Sequence, residues 1–127
     1  MKYNSLIPEL SVSNINKSKE FYLSLGFKVM YERIENKFCF LELEANQIMI
    51  EEINDNWNTG ELEYPFGRGI NISMTVSNVD EMYNRLKDMN IKFFLELTTN
   101  EYRVDDEIIY EKEFLIQDPD GYLLRFN

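Results

Sequence analysis

The chain contains no histidine, a single cysteine, three prolines and five glycines in 127 residues. Each scarcity excludes something. Without histidine there is no side chain whose ordinary pKa lies near neutrality, so Ser-His-Asp and Cys-His catalysis are both ruled out. The commonest metal ligand is gone as well. One cysteine, Cys39, cannot form an intrachain disulfide. There is no run of 18 apolar residues, so no membrane-spanning helix is expected, and Met1–Ser5 lacks the apolar core of a signal peptide. These points give the expectation of a cytoplasmic protein. Cations are scarce too: 13 Lys and Arg stand against 23 Asp and Glu, for a formal charge of −10. A surface of that sign repels nucleic acid and anionic membranes and attracts cationic small molecules. The same charge also serves plain solubility.

What is present is a repeat. Val12-Ser13-Asn14-Ile15 recurs 64 residues later as Val76-Ser77-Asn78-Val79, and at that offset Gly26 falls on Asn90 and Lys28 on Lys92. Asn14 and Asn78 are good helix N-caps, and Glu81 stands where a capping box would place it. Apolar residues follow at helical spacing: Ile15, Phe21, Tyr22 and Leu25 in one copy, Val79, Met82, Leu86 and Met89 in the other. Gly26 and Asn90 are the residue types that best tolerate the left-handed conformation that ends a helix.

Alternation and turn signals supply the strands. The first copy reads as Pro8–Ser13, a helix Ile15–Leu25, then Phe27–Arg33, Phe38–Leu43 and Gln47–Ile53. The second reads as Gly69–Ser77, a helix Val79–Met89, then Lys92–Leu97, a strand near Lys112–Gln117, and Tyr122–Phe126. Asp118-Pro119-Asp120-Gly121 has the composition of a type I turn. A hairpin near Asp105-Asp106 is an open alternative for residues 98–111. The expectation is therefore an α+β chain of two βαβββ modules, residues 1–53 and 69–127, joined by a linker over 54–68.

The run Val12 to Tyr22 with Leu25-Gly26-Phe27, together with Phe114 to Phe126, resembles the glyoxalase/bleomycin-resistance family, also called vicinal-oxygen-chelate proteins. The resemblance implies two modules whose sheets curl around a cleft, and a homodimer. Some relatives are metal enzymes that draw ligands from four strands. Counted from the shared motifs, those positions fall here on Ile7, Asn71, Arg125, and either Glu51 or Glu52. An apolar side chain, an amide, a guanidinium and one carboxylate do not make a divalent-cation site. No metal or other cofactor is expected, and Arg125 is a candidate ion-pair partner for Glu51 or Glu52.

Other relatives bind bleomycin. By resemblance, Phe38 and Tyr110 hold the positions of two rings that flank the drug's flat part, although tryptophan is the expected residue at the second. Asp105, Asp106, Glu107, Glu111 and Glu113 around Tyr110 suit a cationic tail. Arg68, in Pro65-Phe66-Gly67-Arg68-Gly69, together with Tyr102, Arg103 and Arg125 suits an anionic substrate instead. Trp57 is a candidate lid or subunit-contact residue, and Cys39, between Phe38 and Phe40, reads as a small core residue. Three functional readings stand side by side. One is a metal-free protein that sequesters a cationic aromatic drug. Another is a metal-independent enzyme acting on a small anionic substrate, with Glu51 or Glu52 as base. The last is a scaffold that has lost both metal and ligand.

Overall fold

Both helices begin and end where the cap residues place them. In the computed structural model, which describes residues 1–127, α1 spans Ile15–Leu25 and α2 spans Val79–Asp88. The Asn14 side chain accepts the backbone N–H of Lys17, and that of Asn78 accepts the N–H of Glu81. Each satisfies a donor that the first helical turn leaves open. Gly26 closes α1 at φ 110°, and Asn90 takes φ 60° just after α2. Neither helix is long and apolar enough to cross a membrane.

Around them lie eight strands: β1 Glu9–Val12, β2 Lys28–Arg33, β3 Phe38–Leu43, β4 Asn46–Glu52, β5 Asn71–Met74, β6 Leu95–Val104, β7 Glu107–Gln117 and β8 Leu123–Phe126. They form two four-stranded sheets with matching order, β1-β4-β3-β2 and β5-β8-β7-β6. In each, the first strand pairs in parallel with the last, and the helix provides the crossover. This is βαβββ twice, the α+β order expected from the repeat. The main departure from the expected strands lies in the second copy. Residues 98–111, read as uncertain from sequence, lie in a long antiparallel hairpin of β6 and β7 with its turn at Asp105-Asp106. Asp105 adopts φ 54° there, a conformation that Asp tolerates better than most residues.

The chain divides into two compact units, residues 1–66 with 118–121, and residues 67–117 with 122–127. The Asp-Pro-Asp-Gly turn thus belongs to the first unit, although the strands on either side of it belong to the second. The reason is polar. Asp120 accepts hydrogen bonds from the N–H and hydroxyl of Ser13, and Asp118 accepts one from the Tyr22 hydroxyl at 2.7 Å. All three acceptor oxygens are on nearly buried residues, where an unmade bond is costly.

Strand alternation sorts every side chain to one of two faces. In the first unit Leu10, Val12, Cys39, Leu41, Ile48 and Ile50 meet Tyr22 and Leu25 of α1 in a closed core. In the second, Met74, Phe114, Ile116, Leu124 and Phe126 meet Met82, Tyr83 and Leu86 of α2. Glu51 in the first sheet and Arg125 in the second lie on the other, helix-free faces. Cys39 is a core residue, as its strand position implied. Burial pushes its thiol up to about 11, so it stays protonated and unreactive at neutral pH.

Candidate functional site

In the second unit, the helix-free face carries a polar pocket of about 230 Å³ lined by Ser73, Tyr102, Glu111, Glu113, Arg125 and Asn127. The register explains the grouping. Ser73 is opposite Arg125, Arg125 is opposite Leu115, and Glu113 and Glu111 follow Leu115 at intervals of two along β7. All of these side chains therefore emerge on one face.

Glu113 is the centre of this group. Its side chain is only 3% exposed, and both of its oxygens accept from the Tyr102 hydroxyl, at 2.5 and 3.0 Å. The Arg125 guanidinium stands 3.8 Å from the same carboxylate, and its Nε is buried without a hydrogen-bond partner. A buried carboxylate held by one hydroxyl and one offset guanidinium keeps unused acceptor capacity, and Nε keeps an unused donor. A polar ligand entering the pocket would meet both. The hydrogen bond to Glu113 holds the Tyr102 phenol above its ordinary pKa, with burial and the carboxylate's charge adding to the rise, so Tyr102 acts as a donor.

Several expected site residues take other places. Within its own unit the carboxylate beside Arg125 is that of Glu113, because β7 and β8 are adjacent strands. Arg68 and Arg103 are exposed and do not line the pocket. Arg103 follows Tyr102 directly in β6, so alternation turns it to the opposite face. The expected convergence of three arginines is thus reduced to one. Tyr110, 65% exposed, shares its face with Lys112, Phe114 and Ile116, the side of α2. It does not stand with Glu111 and Glu113 around a common pocket, even though they are its sequence neighbours. Trp57 is 80% exposed in the strand-free segment after β4. Sequence reading noted Glu113 only as part of an acidic run. The signal that could have singled it out is its position in β7, a charge two residues before Leu115, the register partner of Arg125, and so on the face of Arg125.

In the first unit, the register separates the two glutamates that sequence could not. Glu51 is opposite Phe38 and Ser11, on the helix-free face. Glu52 points the other way, where it accepts the N–H of Ile15 at 3.1 Å and pairs with Lys37 at 2.8 Å. It is a cap for α1. Its hydrogen bond with Lys37, then that with Ile15, hold its carboxyl below the ordinary range. Beside Glu51 are Glu9 and an aromatic group: Tyr31 stacks on Phe40 at 5.1 Å, and the Arg33 guanidinium lies 4.0 Å over the ring of Phe38. Phe38 is 3% exposed, so it is a packed residue and not a ring standing free in a groove.

The positions that hold a metal in some relatives do not fit one here. Nowhere do three or more His, Cys, Asp or Glu side chains gather in a cluster that could hold an ion. Of the mapped positions, Arg125 puts a cation beside a carboxylate that a metal would need.

A model of the Glyoxalase/Bleomycin resistance protein/Dioxygenase superfamily matches residues 6–126. This chain belongs to that superfamily. A glyoxalase/bleomycin resistance protein/dioxygenase superfamily member from Vibrio splendidus 12B01 is 34% identical, with 93% of this chain and 92% of that chain covered and a TM-score of 0.42. TioX from Micromonospora sp. ML1 shares the fold at a TM-score of 0.74, with 14% identity over 98% of this chain and 97% of that one. A bleomycin-binding protein complexed with bleomycin shares it at 0.66, with 17% identity and the same two coverages, 98% and 97%. No curated protein matches the chain. Superfamily membership sets the scaffold, and the side chains above must carry any statement about chemistry.

Proposed function

We propose that this protein is a metal-free binder that sequesters a small cationic, aromatic-bearing ligand of the bleomycin kind, without making or breaking a bond. The observation that carries this reading is the charge of the polar pocket. It holds two carboxylates, Glu111 and Glu113, and one arginine, and that arginine already stands beside buried Glu113. Such a pocket favours a ligand that brings positive charge and hydrogen-bond donors. The net charge of −10 adds long-range attraction of the same sign. An enzyme for anionic substrates would need the arginines together, and Arg68 and Arg103 lie elsewhere. A role in antibiotic resistance and a cytoplasmic location belong to the same reading.

Bleomycin titrated into the protein should bind and quench Trp57 or tyrosine emission. Glu113→Gln keeps the shape and removes the charge; it should weaken binding about tenfold to a hundredfold, the range of a hydrogen bond to a charged group. Tyr102→Phe should also weaken it, and added salt should reduce affinity. No heat with bleomycin in calorimetry, alongside saturable binding of a small carboxylate, would replace this reading with the anionic-substrate enzyme.

The reading includes a homodimer. The hairpin leaves residues 107–113 of β7 paired only with β6, and Val104, Ile108, Ile109 and Tyr110 are exposed along it. An open strand edge flanked by apolar side chains invites a second copy. Light scattering should give about twice the 15.2 kDa chain mass. A monomer at micromolar concentration would contradict the dimer.

A further inference from the structure

We propose that Arg33 is a built-in occupant of a second cation site, on the helix-free face of the first unit, and that a planar cationic group of a ligand binds there by displacing it. The inference rests on the cation-binding reading above and names a specificity-determining residue for it.

The geometry is that of a guanidinium bound as a ligand would be. Arg33 is the last residue of β2, opposite Phe38 in register, and its Cζ lies 4.0 Å over the Phe38 ring and 5.9 Å from the Tyr31 ring. A planar cation stacked on an aromatic face at this distance is a cation–π contact. The carboxylates that would complete the site are on the same face. Glu51 is opposite Phe38 on β4, and Glu9 is two residues before Ser11, the β1 partner of Glu51. Glu9 responds to both neighbours. Burial first, then the charge of Glu51, raises its pKa, and Arg33 lowers it. Arg33 therefore sits within electrostatic reach of Glu9. Asn54 holds Glu51 in place with a hydrogen bond to Oε1 at 2.6 Å.

The parts differ in how firmly they are held. Phe38 and Phe40 are buried and Tyr31 stacks on Phe40, so the platform is rigid. Arg33 is exposed at a strand end with a long flexible side chain, so it can leave without disturbing the core. Its departure would free one ring face on the same sheet face as the two carboxylates. A site that is occupied by its own side chain most of the time shows an affinity reduced by the fraction of time it is open. Arg33 would thus exclude weak or poorly shaped cations and admit only those that stack and pair better than a guanidinium does. Another arginine-free cation, such as a bare ammonium, lacks the flat face needed to compete.

The test uses benzamidinium, a planar monocation, titrated by calorimetry into the full chain. Wild type should bind it weakly. Arg33→Ala and Arg33→Gln should each bind it about tenfold more tightly, the size of a cation–π contact given up to the ligand. Adding Glu51→Gln to Arg33→Ala should abolish the gain. Thermal unfolding of each variant checks that the fold is intact, and Arg33→Gln, which keeps most of the stem, guards against simple collapse onto Phe38. Equal or weaker binding by both Arg33 variants, or a gain that survives Glu51→Gln, would overturn the proposal. If bleomycin still binds wild type in that case, the sequestering function stands and only the role of Arg33 falls. If bleomycin fails while benzamidinium gains as expected, the cation site stands and the drug does not.

Discussion

Phe38→Ala should lower the unfolding free energy by about 3–5 kcal/mol, the range for truncating a packed phenylalanine. Phe38 is 3% exposed and lies in a row with Tyr31 and Phe40, with the Arg33 guanidinium on its face. Removing the ring loses its buried area, leaves a cavity next to Phe40 and takes away the contact of Arg33. Denaturant unfolding followed by circular dichroism measures the difference. Tyr110→Ala is the control. At 65% exposure it should change stability by no more than about 0.5 kcal/mol, as surface substitutions do. If both rings instead stood in an open groove, as their resemblance to the two drug-flanking rings implies, either could be removed without harm to the fold. A small effect of Phe38→Ala would restore that view.

A comparable loss, roughly 2–5 kcal/mol, is expected for Gly121→Ala, from overpacking together with left-handed backbone strain. Gly121 has φ 96°, and a Cβ there would lie 2.5 Å from Cβ and 2.6 Å from Cα of Pro65. Pro65 is backbone and ring at that point, so it cannot swing aside as a long side chain would. Its neighbour Phe66 donates its N–H to the Asp120 carbonyl at 2.8 Å, which fixes the approach. Gly60→Ala separates the two causes. Nothing lies within 4 Å of a Cβ at Gly60, so any loss there comes from the backbone alone and should be smaller. Equal effects at the two glycines would show that close packing against Pro65 does not matter.

The features that local chemistry can write were legible in the residues themselves. Two asparagine caps, a glycine and an asparagine at the helix ends, and a 64-residue repeat were enough for both helices and for the βαβββ order. Caps and periodicity act within a few residues, so they survive in one dimension. The Asp118 to Gly121 turn was visible for the same reason, as was the core position of Cys39. The absence of histidine closed off whole classes of catalysis with no structure at all.

Tertiary structure decided which residues meet. Glu51 and Glu52 are equivalent in a sequence, and only the pairing of β3 with β4 turns one to the helix-free face and the other to the start of α1. Tyr110 looked like the centre of an acidic cluster because neighbours in sequence were taken as neighbours in space. In a strand they alternate, so Tyr110 and Glu113 leave the sheet on opposite sides. Glu113 gains its importance from β8, which brings Arg125 beside it, and from the length of the hairpin, which lets Tyr102 reach back to it. Arg33 lies on Phe38 because β2 and β3 are in register. None of these encounters is encoded by a local pattern. Each depends on strand register, which is set when the whole apolar face of a sheet closes against its helix.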